Sequence, residues 1–564
     1  MVKKISLPFL FPFLPGLFFI ALCFYLSPDR IFSIWPIKVA NGGINFLNMR
    51  LFQISLFAFG SWLTIYYAKR VYNGFIVFPV LLFLLIGHYF LYGLIDDTYI
   101  SLRYAKNFAL GNGLVFNLGE RVEGYTCFLW VCLLGFIHFL TKIHLEKISF
   151  YLSLFFGCLT LIASFILFGF LKEQEKIKYF CLLILACFIP LVFWSYSGME
   201  TSFYTFLLVS ATICLANHWE QDQHQKFLIT SAVLFSLAGL TRPETYLFFI
   251  GNVFFIFVFT RKEKRIRDVL YYSSIFLGIV GIHILFRLVY YGFLLPNTFY
   301  AKVDYSSFDL MKRGLIYICH GALSSLPLFL IIGVGFSKPV TKEKRIVLYI
   351  FLLVLLQLAA IFYTGGDHFR ILRYFVYLSP FLVFLSLWGI GKIPWGLKGK
   401  SLLILAVLFS TLYLNFFYRD AIYFSSMKGE PRIAEALSKI GLWLKENAKK
   451  TDWLATPVVG AMPYHSELNA IDVLGLTDKT ISHKKTALGK GKSGHEKWDW
   501  NYVLDRKPRY IYVGGFLCQK PEDFRKGVWL PAYKPFYKML PIKNYQIITG
   551  KAQDQDFCFL KRVN

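Results

Sequence analysis

The residues most able to do chemistry open the stretch "LIDDTYISLRYAK" (94–106), where Asp96 and Asp97 follow directly on an apolar run from residue 74. One of two adjacent acids can accept a proton from an incoming hydroxyl while the other positions it or shares a cation. Helix-dipole logic also favours acids at a helix N-terminus, so a capping role is part of any account of this pair. Further candidates fall in separate segments. "NLGERVEGYT" (117–126) carries Glu120, Arg121 and Glu123, and "TGGDHFRILR" (364–373) carries Asp367, His368, Arg370 and Arg373. Arg103, Glu200, Arg242, Glu244, Asn297 and Lys302 complete the polar set. Guanidinium and ammonium groups are what an anionic phosphate needs, and charges near a membrane are usually functional when they converge. His368 by itself reads as a polar loop residue rather than a metal ligand. Together the groups suggest transfer of a sugar from a lipid-linked phosphate, with an Asp as base and cations stabilising the departing phosphate.

The elements that must position these groups follow from composition. The chain has 564 residues, of which 56% are hydrophobic and 16% charged, and apolar runs recur from the N-terminus to about residue 418. Runs of about 17–25 residues suffice to cross roughly 30 Å of hydrocarbon. A polytopic α-helical membrane protein is expected, with spans near 5–27, 51–68, 74–94, 148–171, 179–195, 200–217, 226–242, 245–260, 268–291, 314–335, 346–363, 374–392 and 400–418, thirteen in all. The first segment reads as a retained anchor, since its apolar stretch is long and lacks a small-residue cleavage site. "CFLWVCLLGFIHFL" (127–140) is short for a span and suits a helix lying in the interface.

Charge fixes the orientation. With Met1 in the cytoplasm and 127–140 interfacial, the basic loops "KEQEKIK", "RKEKRIR", "KPVTKEKR" and "KIPWGLKGK" all fall on one side. A spanning 127–140 would turn those clusters outward. The loops rich in Gly, Pro, Asn and mixed charge then share the extracytoplasmic face with both acids. The net charge of +27 is therefore a signature of membrane orientation, with no nucleic-acid partner expected. Walker and Rossmann glycine motifs are absent from the cytoplasmic loops, which argues against a nucleotide-driven step there.

The composition changes after about residue 419. "PRIAEALSKIGLWLKENAKK" (431–450) has helical spacing, and "DWLATPVVGA", "NAIDVLGL" and "RYIYVGG" read as short buried strands. An extracytoplasmic α/β domain over 419–564 is expected, behind extra helices at 1–70 and a transmembrane module at 71–418 whose first outer loop spans 95–147. Eight of the ten cysteines lie in or beside apolar spans; Cys518 and Cys558 in the tail form either a disulfide or two free thiols.

"DDTYISLRYAKNFALGNGLVFNLGERVEGYT" followed by "FLW" resembles the first-loop signature of the GT-C membrane glycosyltransferases, in particular the branch holding the mycobacterial terminal arabinofuranosyltransferases. "YSGMET", "LTRPE", "YYGFLLPNTFYAK", "GGDHFRILRY" and "AIDVLGLTD" are similar to further motifs of that branch, over about residues 74 to 515. Two departures stand out. Residues 1–70 add two spans, and Cys127 replaces the Asn or Ser often found after "EGYT". The resemblance implies a GT-C fold, a polyprenyl-phosphate sugar donor, a cell-envelope glycan or glycolipid acceptor, and inverting transfer in the bacterial inner membrane. It places the base on Asp96 or Asp97. No cofactor is required; some GT-C enzymes use a divalent cation at this loop, and Asp97 is the residue that would hold it. Related readings are a protein O-glycosyltransferase or a lipid A sugar transferase. A lipid-linked sugar transporter is a reading of a different class, but transporters place their polar residues near the bilayer midplane rather than at span ends on one face.

Overall fold

The computed structural model describes residues 76–90, 93–221, 224–304, 307–338, 344–369, 371–416, 420–512, 532–539 and 541–563. The expected spans at 5–27 and 51–68, Arg370 and Cys518 lie outside them. The chain divides into two compact units, Met1–Leu85 and Ile86–Asn564. The first described helix, α1 (Val77–Phe90), begins in the former.

The second unit continues with α2 (Asp96–Ala109), α3 (Phe128–Thr141), α4 (Leu145–Phe168), α5 (Glu175–Ala186), α6 (Ile189–Tyr196), α7 (Thr201–Glu220), α8 (Gln225–Thr241), α9 (Thr245–Phe259) and α10 (Lys262–Tyr291). Then come α11 (Asn297–Lys302), α12 (Phe308–Ser324), α13 (Leu326–Phe336), α14 (Lys344–Thr364), α15 (Arg373–Gly391), α16 (Leu397–Phe416) and α17 (Asp420–Asn447). α15 is buried on all sides from Phe375 to Ile390, as expected of a central helix that is apolar all round.

This is a multi-pass membrane protein, but the described residues do not reach thirteen spans. Five helices are long and apolar enough to cross a membrane, or seven if each bent pair forms one span. The single spans expected at 179–195 and 314–335 are each two helices, bent by 57° and 84°. The reason is local: Pro190 and Pro327 open the second helix of each pair, where a missing N–H is tolerated but the preceding ladder is broken. The expected spans at 226–242 and 245–260 form shorter apolar helices of 17 and 15 residues, at or below the lower end of the crossing range. α3, 14 apolar residues long, packs on α2. A Cβ on its Gly135 would stand 2.9 Å from the Ala105 carbonyl.

The C-terminal region contains one mixed sheet. Strands β1 (Trp453–Thr456), β2 (Asn469–Asp472), β3 (Tyr510–Tyr512), β4 (Tyr545–Ala552) and β5 (Gln555–Arg562) stand in the order β2-β1-β3-β5-β4. β1 runs parallel to β2 and β3, and β5 runs antiparallel to β3 and β4. Side chains alternate between the faces. Leu454, Tyr510 and Phe559 meet Leu437, Ile440 and Leu444 of α17 on one face. Ala455, Ile511 and Leu560 meet Trp500 and Phe536 on the other. Burial on both faces is why the three parallel strands β1, β2 and β3 read as short apolar runs. Helix α17 begins about eleven residues before the expected start and carries Pro431 within it. Its spacing of Leu437, Ile440 and Leu444 is what covers the sheet.

Candidate active site

Helix α2 follows Ile95 as its N-terminal cap and carries Asp96 and Asp97 in its first turn, where the dipole favours them. Its buried face fixes it in place. The Thr98 hydroxyl donates to the Ser197 carbonyl at 2.7 Å, and the Tyr104 hydroxyl donates to the Val122 carbonyl at 2.6 Å. Arg103 is likewise structural in its contacts. Its guanidinium donates to the carbonyls of Phe116, Pro463 and Leu468 at 2.7, 2.5 and 2.6 Å, tying the helix to the C-terminal region. These guanidinium donors are thus taken up by backbone carbonyls.

Asp96 faces a short helix, α18 (Ala461–Ser466), that follows strand β1. Its Oδ1 accepts a hydrogen bond from the Ala461 N–H at 2.7 Å. Burial pushes the Asp96 carboxyl up to about 7, opposed by the Ala461 N–H and reinforced by the charge of Asp97. Asp97 makes no side-chain hydrogen bond or ion pair among the described residues, and its charge acts on Lys302 and on Glu430 of α17.

Lys302 ends α11, and it too has no hydrogen bond or ion pair within 4 Å among the described residues. Burial lowers its ammonium; Asp367 and Asp97 favour its charge, and Arg373 and Arg242 oppose it. Behind it, Arg373 Nε pairs with Asp367 Oδ2 at 2.8 Å, and His368 Nδ1 lies 3.3 Å from Asp367 Oδ1. Burial alone would raise the Asp367 carboxyl, but Arg373 and His368 hold it well below the usual carboxylate range. Arg242 pairs with Glu200 at 3.1 Å and Glu244 at 2.8 Å. Arg373 and Arg242 both lie over the Tyr374 ring, at 5.6 and 5.5 Å from its centre. Leu372, immediately before Arg373, is held at φ 28°, a strained value for a branched residue.

Three of the expected residues fall elsewhere. Glu123 forms a buried pair with Arg287 of α10 at 2.6 Å, and burial raises its carboxyl to about 7 even so. The Asn297 side-chain amide donates to the Gly475 and Leu476 carbonyls, both at 2.9 Å. Arg121 is exposed, its guanidinium 4.5 Å above the Tyr290 ring.

The glycine-rich segment "LGKGKSGHE" (488–496) joins the site and was not among the expected residues. Ser307 donates to the Leu488 carbonyl, and Arg313 donates to the Gly491 carbonyl at 3.0 Å and to Glu496 at 2.8 Å. The Glu496 carboxylate in turn accepts the Gly489 and Gly491 N–H groups at 2.7 Å. Pinned this way, the segment lays Gly494 against the Lys302 stem and brings the His495 ring to 5.2 Å from His368. Burial, with the charges of His368 and Lys492, lowers His495 to about 3. Burial and Asp97 raise Glu430 to about 7. The one signal in the sequence was the clustering of glycines with cations. Among the described residues no three His, Cys, Asp or Glu side chains converge to hold a metal ion.

Comparison with known proteins agrees with the resemblance read from the motifs. Residues 425–559 match a family described as a domain of unknown function, DUF8728. The chain is 29% identical over 241 residues to a terminal β-(1→2)-arabinofuranosyltransferase of Mycobacterium tuberculosis. It is 29% identical over 226 residues to the enzyme of that name from Corynebacterium glutamicum. These matches cover 40% and 37% of this chain and only 36% and 32% of the two relatives, about a third of their length. In fold it resembles ArnT from Cupriavidus metallidurans bound to undecaprenyl phosphate, with a TM-score of 0.56 at 8% identity, over 87% of this chain and 98% of that one. The apo form of the same protein aligns over the same shares, also at a TM-score of 0.56 and with 11% identity.

Proposed function

We propose that this chain is an inverting membrane glycosyltransferase. It moves a sugar from a polyprenyl-phosphate donor to a hydroxyl of a cell-envelope glycan or glycolipid on the extracytoplasmic face of the bacterial inner membrane. The observation that carries the reading is Lys302, which has no ion pair among the described residues and whose ammonium lies under the influence of the Asp367, Asp97 and Arg373 charges. An ammonium without a partner in a buried acidic and basic cluster is a place for a ligand's phosphate. The likeness to arabinofuranosyltransferases and to an undecaprenyl-phosphate-bound fold relative supports the same donor chemistry.

The division of labour follows from charge. Inversion needs attack on the anomeric carbon from the side opposite the departing phosphate. Lys302, Arg373 and Arg242 mark the phosphate side, and Asp97 is the acid whose charge acts on Lys302. Asp96 is the base. One of its oxygens is held by the Ala461 N–H, and a carboxyl near 7 is basic enough to take a hydroxyl proton at neutral pH. As the acceptor oxygen bonds to the anomeric carbon, its proton passes to Asp96. The carbon–phosphate oxygen bond breaks, and the electron pair leaves on the polyprenyl phosphate beside the cations.

The test uses purified full-length protein with a labelled polyprenyl-phosphate pentose and an envelope glycan acceptor. Label should move to the acceptor with release of polyprenyl phosphate. Donor that is carried across a vesicle membrane intact, with no label transferred, would replace this reading by transport.

A further inference from the structure

Away from Lys302, the first outer loop and the C-terminal region enclose a cleft of about 190 Å³. Glu120, Arg121, Asp478, Lys479, Tyr502 and Arg506 line it. One wall is internally neutralised. Arg506 donates to Glu120 at 2.7 Å and to the Tyr502 hydroxyl at 3.1 Å, and Tyr502 donates to Asp478 at 2.9 Å. The other wall is not. Arg121 and Lys479 are exposed cations with no carboxylate within ion-pair distance among the described residues. Both also line a smaller cavity next to the cleft, with Phe293 and Asn297. Stacking on Tyr290 restrains the Arg121 guanidinium, so little freedom is lost when it grips an anion.

The cleft is linked to the reacting site by one short element. Helix α11 begins at Asn297, in the wall of the smaller cavity, and ends at Lys302. Five residue steps of 1.5 Å make that separation about 8 Å along the axis. Asn297 also fixes this helix to the segment carrying Asp478, through the carbonyls of Gly475 and Leu476.

We infer that this cleft is a subsite for an acidic saccharide unit of the acceptor, one bearing a carboxylate or a phosphate. Arg121 and Lys479 take the anion, and the Tyr502–Arg506–Glu120 wall receives the ring and its hydroxyls. The inference rests on the transferase reading for the word acceptor, while the binding itself does not.

The experiment is calorimetric titration of the full chain in nanodiscs of zwitterionic lipid with trigalacturonate, a phosphorylated mannopentaose and maltotriose. At least one acidic probe should bind at least tenfold more tightly than maltotriose, and which one binds identifies carboxylate or phosphate. Arg121→Gln/Lys479→Gln should weaken that binding by about tenfold or more, as loss of charge-assisted hydrogen bonds does. Lys551→Gln, an exposed charge removed from strand β4, should bind as the unaltered protein does. Asp96→Asn should bind equally well, which separates the cleft from the chemistry. Equal binding of maltotriose, no binding of any probe, or an equal loss in Lys551→Gln overturns the subsite. Failure of transfer alone would overturn only the reaction.

Discussion

The Asp96 carboxylate accepts the Ala461 backbone N–H at 2.7 Å, joining residues 365 positions apart. Helix α2 thus carries the acid, and the C-terminal region supplies the N–H that holds it. Gly460 makes this approach possible, because a Cβ there would stand 2.0 Å from the Asp96 carbonyl oxygen.

Gly460→Ala is therefore expected to push the two elements apart. Overpacking of this kind costs about 1–3 kcal/mol, and transfer should fall at least tenfold in a donor-turnover assay. Gly278→Ala, on an open face of α10, should leave turnover unchanged. Equal behaviour of the two variants would remove Gly460 from the account.

The raised carboxyls of Asp96 and Glu430 predict a pH dependence of stability. Both stand at about 7 against ordinary values of 3.8 and 4.5, from burial first and Asp97 next among the causes that raise them. The folded state binds these protons more tightly than the unfolded state, so stability falls as pH rises from about 4 to about 7 and then levels. Asp96→Asn keeps an acceptor for the Ala461 N–H and removes the titration. Its apparent melting midpoint should decline less steeply between pH 5 and 7 than that of the unaltered protein. An unchanged slope would contradict the assignment.

Breaking the Asp367–Arg373 pair should be costly. Removal of one partner leaves a buried uncompensated charge, at about 3–5 kcal/mol. Asp367→Asn should lower the melting midpoint clearly. Arg373→Lys should rescue little, because a lysine cannot both pair with Asp367 and stack on the Tyr374 and Trp194 rings. A lysine variant as stable and active as the parent would show the stacking to be incidental.

Lys302→Met keeps a stem of similar length beside Gly494 and removes the charge. Donor KM should rise at least tenfold with the melting midpoint little changed. An unaltered donor KM would place the phosphate elsewhere.

The acids were legible in the sequence because two like charges ending an apolar run are costly beside a membrane and persist where a site uses them. The helix behind them was legible in its spacing. The three parallel strands, Trp453–Thr456, Asn469–Asp472 and Tyr510–Tyr512, announced themselves as short runs buried on both faces. The hairpin of β4 and β5 did not, since half of the β4 residues are exposed and its run "YQIITGKA" is broken by polar residues. The contacts of Arg103 were not legible, because sequence does not reveal that the Pro463 and Leu468 carbonyls, 360 and 365 positions away, accept from it. His495 and Gly494 were invisible for the same reason. Only the fold carries the 488–496 segment across to Lys302 and His368.

The central claim is that Asp96 takes the acceptor's proton. Its most direct test is single-turnover transfer from a labelled polyprenyl-phosphate pentose by purified Asp96→Asn protein, at saturating donor and acceptor. The variant should bind donor as the parent does, and its transfer rate should fall by about 10²–10⁴-fold. Transfer by Asp96→Asn within a factor of a few of the parent rate would contradict the account.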